Sequence, residues 1–117
     1  MANLYITSAE TFSGKSALCL GLGGVYVEAF KDVTFRVAPI DRREAREMIT
    51  EIRSYNRLRG VRGEKPGDLD AVVDTLVRVS QLVTDFPEIM EMDINPLLVF
   101  PAGQGVLGLD MRLALKA

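Results

Sequence analysis

The feature that most constrains the fold is the order of apolar patterns along the chain. Short runs of β-branched and aromatic residues, typical of strands, lie toward both ends of the sequence, and two helical patterns lie between them. Strands, two helices and then strands again favour the α+β class. We therefore predict a mainly antiparallel sheet with two helices packed on one of its faces.

Four segments in the first third of the chain carry strand signals of different strength. Leu4 to Thr7 reads as a strand, whereas the apolar run from Ala17 to Leu22 is too short for periodicity to separate strand from helix. Residues Val25 to Phe30 and Val33 to Val37 flank a tight turn, and apolar side chains alternate along the second run. We expect these two runs to form a hairpin.

The two helices are predicted from their caps and from apolar spacing. Asp41 has Glu44 three residues later, which is the pattern of a helix N-cap with its capping-box partner. Apolar residues then recur at helical spacing, so the first helix should run from about residue 42 to residue 54. Asp68 should cap a second helix, with a wider apolar stripe, that ends at Phe86.

Three oxygen-bearing side chains in the C-terminal strands are the best candidates for a site. Alternation on a strand places Asp93 and Asn95 on one face, about 6–7 Å apart along the chain. If residues 101–105 form the turn, the returning strand 106–113 brings Asp110 opposite them. Two carboxylates and one amide form a hard oxygen site that suits Mg²⁺ carrying nucleotide phosphates. The competing interpretation is that Asp93 and Asn95 begin a turn at Pro96 and that Asp110 merely faces water.

The run Met92–Val99, followed by Leu109–Asp110, resembles the C-terminal signature of the ATP-grasp subunit of acyl-CoA synthetases. These are the succinyl-CoA synthetase β chain and the ADP-forming acetyl-CoA synthetases, and the resemblance covers about residues 21–115. It implies that Asn95 and Asp110 hold Mg²⁺, with ATP or ADP as the nucleotide. It also implies the reaction acyl-CoA + ADP + Pi = acid + CoA + ATP.

The family reaction passes through a phosphohistidine that moves between subunits, and this chain contains no histidine. The resemblance therefore implies a CoA-binding α-type subunit that carries the phosphohistidine. A complete ATP-grasp site also needs an N-terminal lobe, for which the residues before Gly21 leave no room. We expect the chain to be a fragment or subunit of an acid–CoA ligase that is not active alone.

The N-terminal residues resemble a different family. Ser8 to Ser16 is similar to a P-loop, although Ala9 stands where the first glycine belongs, and Gly14, Lys15 and Ser16 would be its nucleotide-binding residues. Residues 3–20 are similar to the start of the dethiobiotin-synthetase-like domain of phosphotransacetylases. This divides the chain into segments 1–20 and 21–117. An ordinary β-hairpin is the alternative structure for the first segment.

Two further functions therefore stay open beside the ligase. The chain could be a P-loop nucleotide-binding module of the phosphotransacetylase type, or a non-catalytic remnant that serves as an assembly piece. The net charge of −2 and the pI of about 5.1 give no reason to expect nucleic-acid binding. Cys19 is the one cysteine, so no intramolecular disulfide forms. No apolar run is long enough to span a membrane, and we expect a cytoplasmic protein.

Overall fold

The structure is a computed structural model that describes residues 2–11, 14–22, 32–53, 55–60 and 63–117. The strand expected at residues 25–30 lies outside this part of the chain, so the predicted hairpin is observed only through its second strand.

The described residues form one sheet of six strands, and every strand pair in it is antiparallel. Its order is β3-β2-β1-β4, and β5 and β6 both pair with the outer edge of β4. The predicted antiparallel α+β architecture is confirmed. The ambiguous run at residues 17–22 belongs to a strand. The strands are β1 (Ala2–Glu10), β2 (Ser16–Leu22), β3 (Val33–Val37), β4 (Ile89–Val99), β5 (Val106–Gly108) and β6 (Met111–Leu115).

Both predicted helices and both predicted caps are confirmed. Helix α1 is Arg42–Glu51, and its first turn is closed by the Glu44 amide, which donates to Asp41 Oδ1 at 2.8 Å. Helix α3 is Leu69–Asp85, and the Ala71 amide donates to Asp68 Oδ1 at 3.1 Å. Such caps satisfy amides that have no partner within the helix.

A short helix, α2 (Tyr55–Leu58), was not predicted, because one turn is too short to show a helical period. In the described residues, no helix has the combination of length and apolar character needed to cross a membrane.

The helices cover one face of the sheet, and the core lies between the two layers. Alternate residues of β1 and β2 point into this core and are completely buried, together with residues of α1 and α3. The helical layer does not extend over β6, where Met111, Leu113 and Leu115 are more than half exposed. The fully buried residues include Leu4, Ile6, Leu18, Leu20, Met48, Val72 and Leu76.

The opposite face of the sheet, which carries Tyr5, Thr7, Asp93 and Asn95, is called the open face here. No helix among the described residues covers it. Along β1 its residues alternate with the buried ones, as in a half-buried strand.

A bulge in β4 lies next to the predicted site. Ile94 pairs with Ile6, and Leu97 pairs with Leu4, so two residues of β4 stand opposite Tyr5 alone. Such bulges bend a strand and re-aim its side chains. The neighbouring strand breaks at the same level, because β5 ends at Gly108 and β6 begins at Met111. The prediction of one continuous strand over residues 106–113 is therefore wrong at this point.

Candidate functional site

The open face brings the three predicted metal-site residues together. Asp93, Asn95, Asp110 and Arg112 line one shallow depression with a volume of about 120 Å³. Asn95 and Asp110 are neighbours across the sheet, since the backbone N–H of Asn95 donates to the backbone carbonyl oxygen of Asp110 at 2.9 Å. The return of the chain after the turn at residues 101–105 therefore places Asp110 as the sequence predicted. Asn95 lies in strand β4, so it does not begin the turn that the competing interpretation required.

The turn that returns the chain is tied to helix α3. Asp68 Oδ2 accepts hydrogen bonds from the amides of Gly103 at 3.1 Å and Gly105 at 2.7 Å. The Asp68 amide donates to the Phe100 carbonyl oxygen at 2.8 Å. One aspartate thus caps a helix and also holds the turn that leads to β5. This joint contributes to the placement of Asp110.

Asp93 forms an ion pair with Arg112 across the strand pair. The distance from Arg112 Nη2 to Asp93 Oδ2 is 3.4 Å, and the two side chains are 79% and 39% exposed. Exposed pairs of this kind contribute about 0–1 kcal/mol to stability. The contact is therefore easily exchanged for another partner.

The donor set fits Mg²⁺ on chemical grounds. Carboxylate and amide oxygens are the ligands that this ion prefers, and it usually keeps several waters and binds substrate phosphates through only one or two carboxylates. Within the part of the chain that the structure describes, no group of three or more Asp, Glu, Cys or His side chains could hold a metal. The depression, with two carboxylates and one amide, therefore suits an ion that arrives with phosphate and water ligands.

The P-loop-like residues lie elsewhere, in the hairpin that joins β1 and β2. Ser16 begins β2 opposite Glu10, and the Thr11 amide donates to the Lys15 carbonyl oxygen at 2.7 Å. A P-loop surrounds phosphates with the N-terminus of the helix that follows it. Here a strand follows, so the hairpin alternative describes this segment. Nucleotide binding by Gly14, Lys15 and Ser16 stays a prediction.

Tyr5, on the open face, was not predicted to lie at the site. Tyr5 stands opposite Gly21, and a Cβ atom on that glycine would lie 2.6 Å from Tyr5 Cε1. The Cys19 thiol donates to the Tyr5 hydroxyl at 3.8 Å, and burial raises the pKa of both groups, so both stay protonated near neutral pH. The ring of Tyr5 thus fills the sheet surface beside the bulge. Strand alternation with Leu4 and Ile6 could have placed it there.

Arg112 was also overlooked as a site residue. It follows Asp110 by two positions, which on a strand puts both side chains toward the same face. That spacing was the available signal. A pair of opposite charges at this separation is common on solvated strands, which makes the signal weak without the structure.

The chain belongs to the ATP-grasp domain family, whose model matches residues 6–115. The match begins within β1, so it crosses the division expected between residues 20 and 21. That division stays a prediction about the origin of the first segment. In the fold, β1 lies at the centre of the sheet, between β2 and β4.

The chain is similar to curated ligases over most of its length. It is 56% identical over 98 residues to acetate–CoA ligase [ADP-forming] I of Archaeoglobus fulgidus, and the aligned region covers 84% of this chain and 14% of that protein. It is 52% identical over 101 residues to the β subunit of acetate–CoA ligase [ADP-forming] II of Pyrococcus furiosus, which covers 86% of this chain and 43% of that subunit. The chain therefore spans less than half the length of either relative.

A solved structure shows the same fold. The dinucleotide forming acetyl-coenzyme A synthetase 1 of Korarchaeum cryptofilum, in complex with coenzyme A and Mg-AMPPCP, superposes with a TM-score of 0.90. It is 38% identical in sequence, and the alignment covers 98% of this chain and 53% of that chain.

Proposed function

We propose that this chain is the Mg-nucleotide-binding lobe of an ADP-forming acyl-CoA ligase. It would act with partner chains in the reaction acyl-CoA + ADP + Pi = acid + CoA + ATP. The observation that carries the proposal is the grouping of Asp93, Asn95 and Asp110 in one depression on the open face of an ATP-grasp sheet. The related structure that contains coenzyme A and Mg-AMPPCP supports the choice of ligands.

Each residue of the depression has a separate task in this proposal. Asn95 and Asp110 would hold the ion through their side-chain oxygens, and Asp93 would accept a hydrogen bond from one of its water ligands. The ion would neutralise charge on the nucleotide phosphates. In support of this arrangement, Asn95 lies at the bulge in β4, and its backbone N–H donates to the Asp110 carbonyl oxygen. The three side chains would together offer the ion a set of oxygen ligands.

The other components of the reaction would come from partner chains. We propose a CoA-binding α-type subunit as the source of the phosphohistidine, because this chain contains no histidine. The open face would be covered by a second lobe that completes the nucleotide clamp. The purified chain should then make no ATP from acetyl-CoA, ADP and phosphate, and measurable ATP formation would contradict the partner assignment.

The metal-site proposal is tested by titrating the ¹⁵N-labelled chain with MgADP and following its amide chemical shifts. Such a titration measures weak binding, which half of a clamp should show. Asn95→Ala should weaken binding at least about tenfold, the low end for disturbing a metal site. Asn56→Ala, on the exposed surface of α2, is the matched control and should bind like the wild type.

Lys15→Ala separates this function from the P-loop alternative. It should leave MgADP binding unchanged, because Lys15 directly precedes strand β2 rather than a helix. If binding is lost with Lys15→Ala and kept with Asn95→Ala, the P-loop alternative is correct. If the wild-type chain shows no binding, the chain is a non-catalytic assembly piece.

A further inference from the structure

If a metal ion and a nucleotide both bind in the depression, the negative charge of the phosphates exceeds the positive charge of the metal that the carboxylates leave unneutralised. Asp93 and Asp110 supply two negative charges, Asn95 is neutral, and Arg112 is the one cation among the described residues that line it. One Mg²⁺ offsets the two carboxylates. The phosphate chain of a bound nucleotide would then still need a positive partner.

Arg112 is placed to supply that charge. It lines the depression with Asn95 and Asp110, and with Asp93 it also lines a second depression of about 270 Å³. Its side chain is 79% exposed, so the guanidinium is accessible to a ligand. Its contact with Asp93, at 3.4 Å, is exposed, so Arg112 can move to a different acceptor without breaking a buried interaction.

Two other cations of the described chain, Arg36 and Lys116, form ion pairs away from the depression. Arg36 pairs with Glu51 beside α1, and Lys116 pairs with Glu10 at the far end of β1. A guanidinium also suits this task better than an ammonium, because its planar fork can donate two parallel hydrogen bonds to phosphate oxygens.

We propose that Arg112 contacts a phosphate of the bound nucleotide and that it is held by Asp93 when no nucleotide is present. This proposal rests on the proposed function of the depression. When a phosphate takes the guanidinium, Asp93 loses its cation and becomes free to accept a hydrogen bond from a water on the metal. Arg112 is thus a binding residue for phosphate, and Asp93 is its partner in the empty site.

The exchange of partners gives a signature that a purely structural ion pair would not give. Without Arg112, the local charge becomes more negative and Asp93 is free, so a divalent ion alone should bind as well as before or more tightly. The same change removes the phosphate contact, so the nucleotide complex should bind more weakly. A structural role would instead change both affinities in the same direction, or neither.

The experiment measures two affinities on the full chain. Mn²⁺ alone is titrated by water proton relaxation, and MgADP is titrated by amide chemical shifts. Arg112→Gln should weaken MgADP at least about tenfold, as expected for loss of charged hydrogen bonds, while its Mn²⁺ affinity equals or exceeds that of the wild type. Arg112→Lys should fall between Arg112→Gln and the wild type for MgADP. Arg43→Gln, an exposed arginine of α1, is the matched control and should leave both affinities unchanged.

The outcomes separate this proposal from the one on which it rests. If the wild type binds MgADP and Asn95→Ala does not, but Arg112→Gln binds normally, only the role of Arg112 is wrong. If Arg112→Gln loses Mn²⁺ and MgADP equally, while Arg112→Lys restores both, the residue is structural. If the wild type binds no MgADP, the proposed function fails and the role of Arg112 fails with it.

Discussion

The two faces of the sheet differ although the same strands build them. Leu4 and Ile6 of β1 are completely buried under the helices, whereas Tyr5 and Thr7, their neighbours in sequence, lie on the open face. Burial of apolar area on the first face supplies most of the stability. The polar groups of the second face remain available for a ligand. A period of two therefore lets one strand hold the fold together and present a site.

The two kinds of sheet surface differ in whether other residues pack over them, and not in whether they carry apolar side chains. Phe35 and Val37 lie on β3 with 60% and 56% of their surface exposed, and Leu113 on β6 is 53% exposed on the helix side. These apolar side chains match those of the core in type but have no layer above them among the described residues. The contribution of an apolar side chain to stability therefore depends on whether other residues pack over it.

The strongest change in stability is expected when a leucine under the helices is truncated to alanine and compared with a leucine that the helices do not cover. Leu76→Ala, at a completely buried position of α3, should lower the free energy of unfolding by about 2–5 kcal/mol, because it leaves a cavity. Leu113→Ala, on the uncovered part of β6, should change it by no more than about 0.5 kcal/mol. Urea unfolding followed by circular dichroism measures both. Equal losses in the two variants would contradict the contrast in coverage.

The joint between the two layers should show the next largest effect. Asp68→Ala removes the acceptor for the amides of Ala71, Gly103 and Gly105, and should cost about 1–3 kcal/mol of unfolding free energy. Hydrogen exchange should show the two glycine amides losing protection. Asp70→Ala, an exposed carboxylate in the same helical turn, is the control and should cost less than about 1 kcal/mol. A smaller loss for Asp68→Ala than for Asp70→Ala would rule out the joint.

The smallest expected effect is a pH dependence at the edge of the helical layer. Two hydrogen bonds from Arg36 at 2.9 and 2.5 Å, and then one from Thr34, hold the pKa of Glu51 below its usual range. A depressed folded-state pKa stabilises the protein above the unfolded pKa of about 4.3, and this contribution is lost as the pH falls through the folded value. Between pH 7 and pH 3 the wild type should therefore lose up to about 1 kcal/mol more than Glu51→Gln, a limit set by exposure of the pair.

Urea unfolding at a series of pH values measures this difference. Arg36→Gln is the matched variant and should flatten the pH dependence as Glu51→Gln does, because it removes the other half of the same contact. If the wild type and both variants lose stability in parallel on acidification, the ion pair does not contribute.

Much of the fold was predictable because its signals are local. The caps at Asp41 and Asp68 depend on hydrogen bonds between residues three positions apart. The two long helices were visible in the spacing of their apolar residues, which repeats within one or two turns. The grouping of Asp93, Asn95 and Asp110 also followed from strand alternation and one turn. The run at residues 17–22 remained ambiguous, because its strand character depends on pairing with β1 and β3 rather than on its own sequence.

The errors lie where strands meet. The bulge at Asn95 and the break between β5 and β6 occur at the same level of the sheet, and each depends on the register of the other. The meeting of Arg112 with Asp93 likewise needs that register. No pattern within either segment specifies it.

Local sequence patterns specify the kinds of element, their caps and the oxygen-bearing side chains available for a site. These depend on backbone hydrogen bonds and alternation within a few neighbouring residues. Tertiary packing sets which face the helices cover, and it places Thr7, Asp93 and Arg112 side by side on the other face. The physical reason is that strand register joins residues far apart in the chain, and burying one face of every strand at once selects it.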